Sequence, residues 1–187
     1  MFNFKRFFSR KITKNTSYLS ENKIWVIPEF IDQNTCDEII QRVYQKGFKQ
    51  ARQFEQGRHN HEVFVQDQLI IEEINKKLSE LFLNDGQNKH VIKMHPTNVE
   101  VYKYNPGDYI ARHSDAASVI GDESSVFTLV VYLSDDFIGG ETHFNDFAMN
   151  VKPPKGGAVI FGHEHHHEAL LVEEGHKYIL RSNCFIV

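Results

Sequence analysis

The sequence predicts an α+β fold that is mainly β, arranged as a sandwich or jelly roll. Two observations carry this. Helical periodicity is confined to two stretches before residue 84, and everything after Gly86 reads as strand and turn. Short strands at regular spacing, punctuated by Gly, Pro, Asn and Asp, mark an antiparallel sandwich or barrel.

The elements follow in order. Residues 23–27, Lys-Ile-Trp-Val-Ile, form a short strand running into Pro28. Thr35-Cys-Asp-Glu38 has the form of a capping box, with Thr35 as N-cap and Glu38 three residues on. The helix it opens shows Ile39, Ile40, Val43 and Tyr44 on one face and stops near Gly47. Residues 61–66 alternate as a strand. Asp67 then caps a helix reaching about residue 83, whose apolar stripe is Ile70, Ile71, Ile74, Leu78 and Leu81. Asn84-Asp-Gly86 breaks it. Val99 and Val101 alternate with Glu100 and Tyr102 in the next strand. Residues 125–133 form a long apolar strand. Gly139-Gly140 turns into 141–145, and 147–152 leads to the turn Pro153–Gly157. Residues 158–161 and 177–187 complete the strands. No internal repeat or interdomain linker is visible, so residues 21–187 read as one domain.

The bulk properties bound the function. A chain of 187 residues with 41% apolar and 25% charged residues can bury a sizeable core. No apolar run reaches transmembrane length. The net charge is −4, but residues 1–20 carry Lys5, Arg6, Arg10, Lys11 and Lys14 without an acid, so +5 there leaves −9 on the remainder. An acidic body argues against nucleic acid as partner, because phosphate contacts need clustered cations. The basic segment reads as a flexible tail. It lacks the apolar core of a signal peptide, which favours the cytoplasm, although its composition also suits an organellar transit peptide or contact with an acidic partner. Cys36 and Cys184 make no disulfide framework and read as reduced core thiols.

The chemistry lies in the C-terminal half. His113 and Asp115 are two apart, so on a strand they leave the same face. A further His and then Lys177 follow. Two imidazoles and one carboxylate can hold one face of a metal ion and leave the other open, as in non-haem Fe(II) oxygenases. A cation beyond the second His suits an acidic co-substrate. The tract Gly162-His-Glu-His-His-His-Glu168 offers four histidines for the third ligand.

Four ordered blocks carry a family resemblance: Tyr104-Asn-Pro-Gly-Asp-Tyr-Ile-Ala-Arg-His113-Ser-Asp115; Thr128-Leu-Val-Val-Tyr-Leu-Ser134; Gly139-Gly-Glu-Thr142 with Phe144; and His167 followed by Val172, Gly175 and Lys177. Over residues 98–187 the chain resembles the prolyl 4-hydroxylase-like branch of the 2-oxoglutarate/Fe(II)-dependent dioxygenases. Residues 22–83 match more loosely, through Phe30–Ile40 and Gly57-Arg-His-Asn60. The resemblance implies a double-stranded β-helix with the two early helices packed on the larger sheet. It implies Fe(II), 2-oxoglutarate and O₂, with ascorbate as an accessory reductant. It selects His167 as the third ligand, because Val172, Gly175 and Lys177 then stand five, eight and ten residues beyond it. His163, His165 and His166 are left as pocket-rim residues or outer support.

By the same resemblance Lys177 pairs with the distal carboxylate of 2-oxoglutarate, with Arg181 as the rival anchor, and Tyr104, Tyr132 and Thr142 help to hold the co-substrate. Arg58 and Asn60, and Arg112 beside the first ligand, fall on the substrate side, with the loop from Gln53 to His61 as a lid. Ile110 stands where many members have an aromatic, so Tyr109 is assigned to the core. Asp115 fills the position that halogenating relatives leave vacant, which favours hydroxylation. The implied activity is hydroxylation of a prolyl or other residue of a protein or peptide, with release of succinate and CO₂. The alternatives are a hydroxylase of free amino acids or other small molecules, a nucleic-acid demethylase suggested by Arg181-Ser-Asn183, and a non-catalytic metal-binding jelly roll.

Overall fold

The structure, a computed structural model, describes residues 24–51, 57–82 and 91–187. The basic segment 1–20, the turn Asn84-Asp-Gly86 and the first part of the loop after Gln53 lie outside the described residues.

In chain order the elements are β1 (Ile24–Ile27), α1 (Gln33–Tyr44), β2 (Lys49–Gln50), β3 (His61–Val65), α2 (Gln68–Phe82), β4 (Ile92–Tyr104), β5 (Ile110–His113), β6 (Val119–Ile120), β7 (Glu123–Ser124), β8 (Phe127–Tyr132), β9 (Phe137–Gly139), β10 (Thr142–Phe144), β11 (Met149–Val151), β12 (Ala158–Gly162), β13 (His167–Ala169), β14 (Val172–Gly175) and β15 (Lys177–Ile186). Seven strands form one sheet in the order β1-β12-β8-β15-β4-β3-β2, and four form a second in the order β11-β10-β13-β5. β9 pairs with β14 and β6 with β7 as two short ribbons. The architecture is mainly β and jelly-roll-like. No helix among the described residues is long and apolar enough to cross a membrane.

Side-chain alternation divides the core in two. On β8, Leu129 and Val131 join the cluster that contains Cys36, Ile39 and Val43 of α1 and Ile70, Ile71, Ile74 and Leu78 of α2. Val130 and Tyr132 turn the other way, into a second cluster with Phe144, Val151 and Ile110 of the smaller sheet. Every residue of β8 is therefore buried, which is why this stretch reads as a continuous apolar run and not an alternating one. The helices cover one face of the large sheet, and the small sheet covers the other.

Two local readings change. The N-cap of α1 is Asp32, not Thr35: the Asp32 carboxylate accepts from the Thr35 backbone N–H and from the Thr35 hydroxyl, both at 2.9 Å. A carboxylate on extended backbone is a stronger partner for the positive helix start than a hydroxyl, so the cap moves three residues earlier. Tyr44 is 61% exposed and does not share the buried face. Asp67 caps α2, accepting from Leu69 N–H at 3.1 Å. α2 is also latched to β4, where Met94 N–H donates to the Asn75 side chain at 2.8 Å.

Ile74 is fully buried between α2 and the large sheet. Ile74→Ala should lower unfolding free energy by about 2–5 kcal/mol, the usual cost of such a cavity. Denaturant unfolding with an unchanged m-value measures it. A loss well under that range would mean that α2 is not part of the cooperative core.

Candidate active site

The smaller sheet brings the two predicted histidines together. β13 and β5 are antiparallel neighbours, and His167 lies directly opposite His113. Their rings stand 4.3 Å apart between centroids. Asp115, two residues past His113, turns back so that its N–H donates to His163 O at 3.2 Å. One carboxylate oxygen lies 3.8 Å from His113 Nε2 and the other 3.8 Å from His167 Nε2. One ligand atom from each of the three lies within 4.8 Å of the others, a group able to hold a metal ion.

Both imidazoles are preset for such an ion. His113 Nδ1 lies 2.9 Å from Ala111 O and His167 Nδ1 lies 3.0 Å from His165 O. A carbonyl can only accept, so each Nδ1 carries the proton and each Nε2 keeps its lone pair for the metal. Burial pushes the His167 pKa down to about 4 despite the nearby Asp115 charge, which keeps that ring neutral.

Asp115 is held from two sides. Thr128 Oγ1 donates to Oδ2 at 2.6 Å, and Arg181 Nη2 donates to Oδ1 at 3.0 Å. Burial alone would raise its pKa. Arg181, followed by His167, Thr128 and His113, outweighs that and holds the carboxyl well below its ordinary range. Thr128 also meets His163 Nδ1 at 2.9 Å, and His163 Nε2 meets Ser125 Oγ at 2.9 Å. His163 is therefore a buried prop behind Asp115, not a rim residue. His165 is buried too, against Phe147, and of the three extra histidines only His166 is well exposed.

A β-bulge shapes the wall beside the first ligand. His113 pairs with His167 and Ile110 with Ala169, so three steps on β5 match two on β13. Ile110 and His113 consequently face the same cavity, whereas Tyr109 stacks on His59 at 4.7 Å and stays outside its walls. Arg112 is exposed and does not reach the cavity.

The cavity, about 420 Å³ including its mouth, has the triad, Lys177, Tyr104, Thr142, Arg58 and Arg181 among its walls. Lys177 is 1% exposed. Its ammonium donates to Gly140 O at 2.7 Å and lies over the rings of Tyr104 and Tyr132, at 4.8 and 5.2 Å. Burial pulls its pKa down to about 7, although Glu141 favours the charged form. The Tyr132 hydroxyl lies 2.6 Å from Thr142 Oγ1 and donates to Val151 O at 3.2 Å. Tyr132 thus stands behind Thr142 and does not line the space itself. Arg181 corrects the rival assignment. Four residues along a strand separate it from Lys177 by about 13 Å, and its charge is engaged by Asp115 instead.

Arg58 arrives from another direction. Ala111 N–H donates to Gly57 O at 2.8 Å and His59 N–H to Tyr109 O at 2.9 Å, so residues 57–59 run antiparallel beside β5 through a single bridge, Arg58 to Ile110. Gly57 has φ +96°, and a Cβ there would lie 2.7 Å from the Ala111 Cβ, so only glycine allows this approach. Arg58 Nη2 donates to the Tyr102 hydroxyl at 3.1 Å, its guanidinium lies 5.3 Å from the Tyr102 ring centroid, and its Nε has no partner among the described residues. Asn60 is fully buried away from the cavity, its backbone O accepting from Ala51 N–H at 2.9 Å. Of the three residues assigned to the substrate side, Arg58 lines the cavity, while Asn60 and Arg112 lie away from it. Thr128 and Glu100 were missed, whereas His163 takes the outer-support role left open for it. The signal for Thr128 was present: it is the lone hydroxyl between Phe127 and Tyr132 in an apolar strand, on the ligand side.

Comparison with known proteins agrees with this geometry. Residues 99–185 match the 2OG-Fe(II) oxygenase superfamily. Over 149 residues the chain is 26% identical to a putative prolyl 4-hydroxylase of Acanthamoeba polyphaga mimivirus, covering 75% of this chain and 60% of that protein. The chain thus spans about three fifths of the length of that relative. Among solved structures it is similar to the viral collagen prolyl hydroxylase of Paramecium Bursaria Chlorella virus-1 in its 2OG complex, with a TM-score of 0.70 and 24% identity over 91% of this chain and 100% of that one. It is also similar to a Trichoplax adhaerens prolyl hydroxylase in complex with a hypoxia inducible factor oxygen degradation domain peptide fragment, with a TM-score of 0.66 and 16% identity over 88% and 83%.

The buried lysine gives a pH signature. Unfolded, it keeps its proton up to the ordinary value of 10.5; folded, only up to about 7. Between these values the unfolded state binds more protons, so raising pH stabilises the fold, and below about 7 the burial penalty is constant. Lys177→Met removes that titration. The parent should therefore gain stability relative to Lys177→Met from pH 7 to pH 10 in denaturant unfolding. A difference that stays flat with pH would contradict the burial of this charge.

Proposed function

We propose that this chain, which belongs to the 2OG-Fe(II) oxygenase superfamily as a prolyl hydroxylase-like dioxygenase, hydroxylates a C–H bond in a polypeptide residue, with proline the first candidate. The observation that carries the reading is the convergence of His113, Asp115, His167 and the buried Lys177 on one cavity.

The donor set fits Fe(II): two imidazoles and a carboxylate hold one face and leave the other open. Bound there with 2-oxoglutarate and O₂, the iron supplies the oxidising power for hydroxylation, with succinate and CO₂ as co-products. The chain's own residues do the rest. His113 and His167 present Nε2 because Ala111 O and His165 O fix their tautomers. Thr128 keeps the Asp115 carboxylate aimed at the two rings. Lys177 pairs with the distal carboxylate of 2-oxoglutarate, exchanging its bond to Gly140 O for a charge-assisted one. Tyr104 and Thr142 line that end, with Tyr132 fixing the Thr142 hydroxyl. Arg58, whose Nε at the cavity wall has no partner among the described residues, meets the substrate chain. The peptide carried by the Trichoplax adhaerens relative supports a polypeptide substrate.

The direct test is mass spectrometry of proline-containing peptides incubated with Fe(II), 2-oxoglutarate and O₂, read for the gain of one oxygen atom together with succinate. His113→Ala and His167→Ala should abolish turnover and metal-dependent stabilisation, while His166→Ala keeps most of both. Lys177→Ala should raise the apparent KM for 2-oxoglutarate about ten- to hundred-fold, the loss of a charge-assisted bond in a partly dry pocket. Turnover confined to free amino acids in a broad screen would overturn the substrate class. An essential His166 beside a dispensable His167 would overturn the ligand set.

A further inference from the structure

One cation of the cavity has no part in holding the distal carboxylate. Arg181 is almost wholly buried and donates to the carboxylate of Asp115 from the side away from Thr128. A second carboxylate, Glu100, stands 4.0 Å behind the guanidinium. Glu100 is itself engaged, accepting from the Tyr102 hydroxyl at 2.5 Å, and Tyr102 in turn accepts from Arg58. The side chains of Arg181, Glu100 and Asp115 are all only 12–13% exposed, so solvent screens these charges weakly.

A divalent ion entering between His113, Asp115 and His167 therefore meets two rings that present Nε2 and a carboxylate whose charge is already opposed by a guanidinium. Thr128 holds the same carboxylate from its other oxygen, so the aim of Asp115 does not depend on Arg181 alone. What Arg181 uniquely brings is charge. Its repulsion weakens the hold on a bare cation. The same positive charge, added to that of Lys177, strengthens the hold on a dianion in this cavity.

We propose that Arg181 is a charge-setting positioning residue of this site: through its pairing with Asp115 it weakens binding of a divalent ion alone and strengthens binding of the dianionic oxoacid, so that stable loading takes both. This rests on the reading of His113, Asp115 and His167 as the metal ligands.

Titration calorimetry with Mn(II), which does not turn over, reads both sides. One titration gives the Kd of Mn(II) for the protein alone; a second gives the Kd of 2-oxoglutarate for the Mn(II)-loaded protein. In Arg181→Met the first should tighten and the second weaken, each by about tenfold as expected for removing one unit charge a few ångströms away in a weakly screened pocket. Glu100→Gln keeps an acceptor for Tyr102 but removes the charge that tempers Arg181, so both shifts should reverse sign. Arg181→Lys should stay near the parent in both, and it keeps the test alive if Arg181→Met does not fold. A merely structural role would weaken both ligands together in Arg181→Met, and that result, or no change in either Kd, would overturn the proposal. The underlying ligand reading fails separately: parent protein that binds no Mn(II), or His113→Ala that binds it equally well, would remove the premise.

Discussion

The register between β5 and β13 sets the geometry of the site. Because His113 lies directly across from His167, two rings from different ends of the C-terminal half become neighbours. Each ring is then fixed by a carbonyl two residues before it in the chain. A slip of one residue would send one ring to the opposite face of the sheet. The bulge beside this pair has its own effect, since it brings Ile110 to the cavity and leaves Tyr109 to stack outside. The large sheet supplies the opposite wall: β15 carries Lys177 and Arg181, β8 carries Thr128, and β4 carries Tyr104.

The division of the core explains why these walls are polar where they need to be. β8 and β15 are covered on both faces, so any polar side chain there must find a partner or pay the full cost of burial. Thr128 finds Asp115 and His163, Tyr132 finds Thr142 and Val151 O, and Lys177 finds Gly140 O. These partners lie on the cavity side. Thr128, Tyr132 and Lys177 thus mark the side of the sheet that faces the site, while Leu129, Val131 and Leu180 pack under the helices.

Much of this was legible in the residues and some was not. The two-residue spacing of His113 and Asp115 is weak by itself, and the Gly-Asp-Tyr turn before it with the distal His and Lys177 made the pair legible. Choosing His167 from its tract needed the spacing to Lys177, because composition treats four nearby histidines alike. The two helices were legible from their stripes, yet the α1 start was misplaced: Thr35 and Glu38 fit a local template, and only the backbone of Asp32 reveals the better cap. Arg58 and Asn60 are two apart in sequence but end in different places, since the pairing of 57–59 with β5 aims Arg58 inward and buries Asn60 elsewhere. The partnership of Arg181 with Asp115 joins β15 to the segment after β5 and left no local pattern to read.

The central claim is that His113, Asp115 and His167 hold an Fe(II) whose open face accepts a chelating oxoacid. The most direct measurement is the visible absorption of the Fe(II)-loaded protein titrated anaerobically with 2-oxoglutarate, since chelation of Fe(II) by an α-keto acid produces a metal-to-ligand charge-transfer band. The band should develop in the parent and in His166→Ala, and be absent in His167→Ala. A parent that never develops it, or a His167→Ala protein that develops it undiminished, would contradict the account.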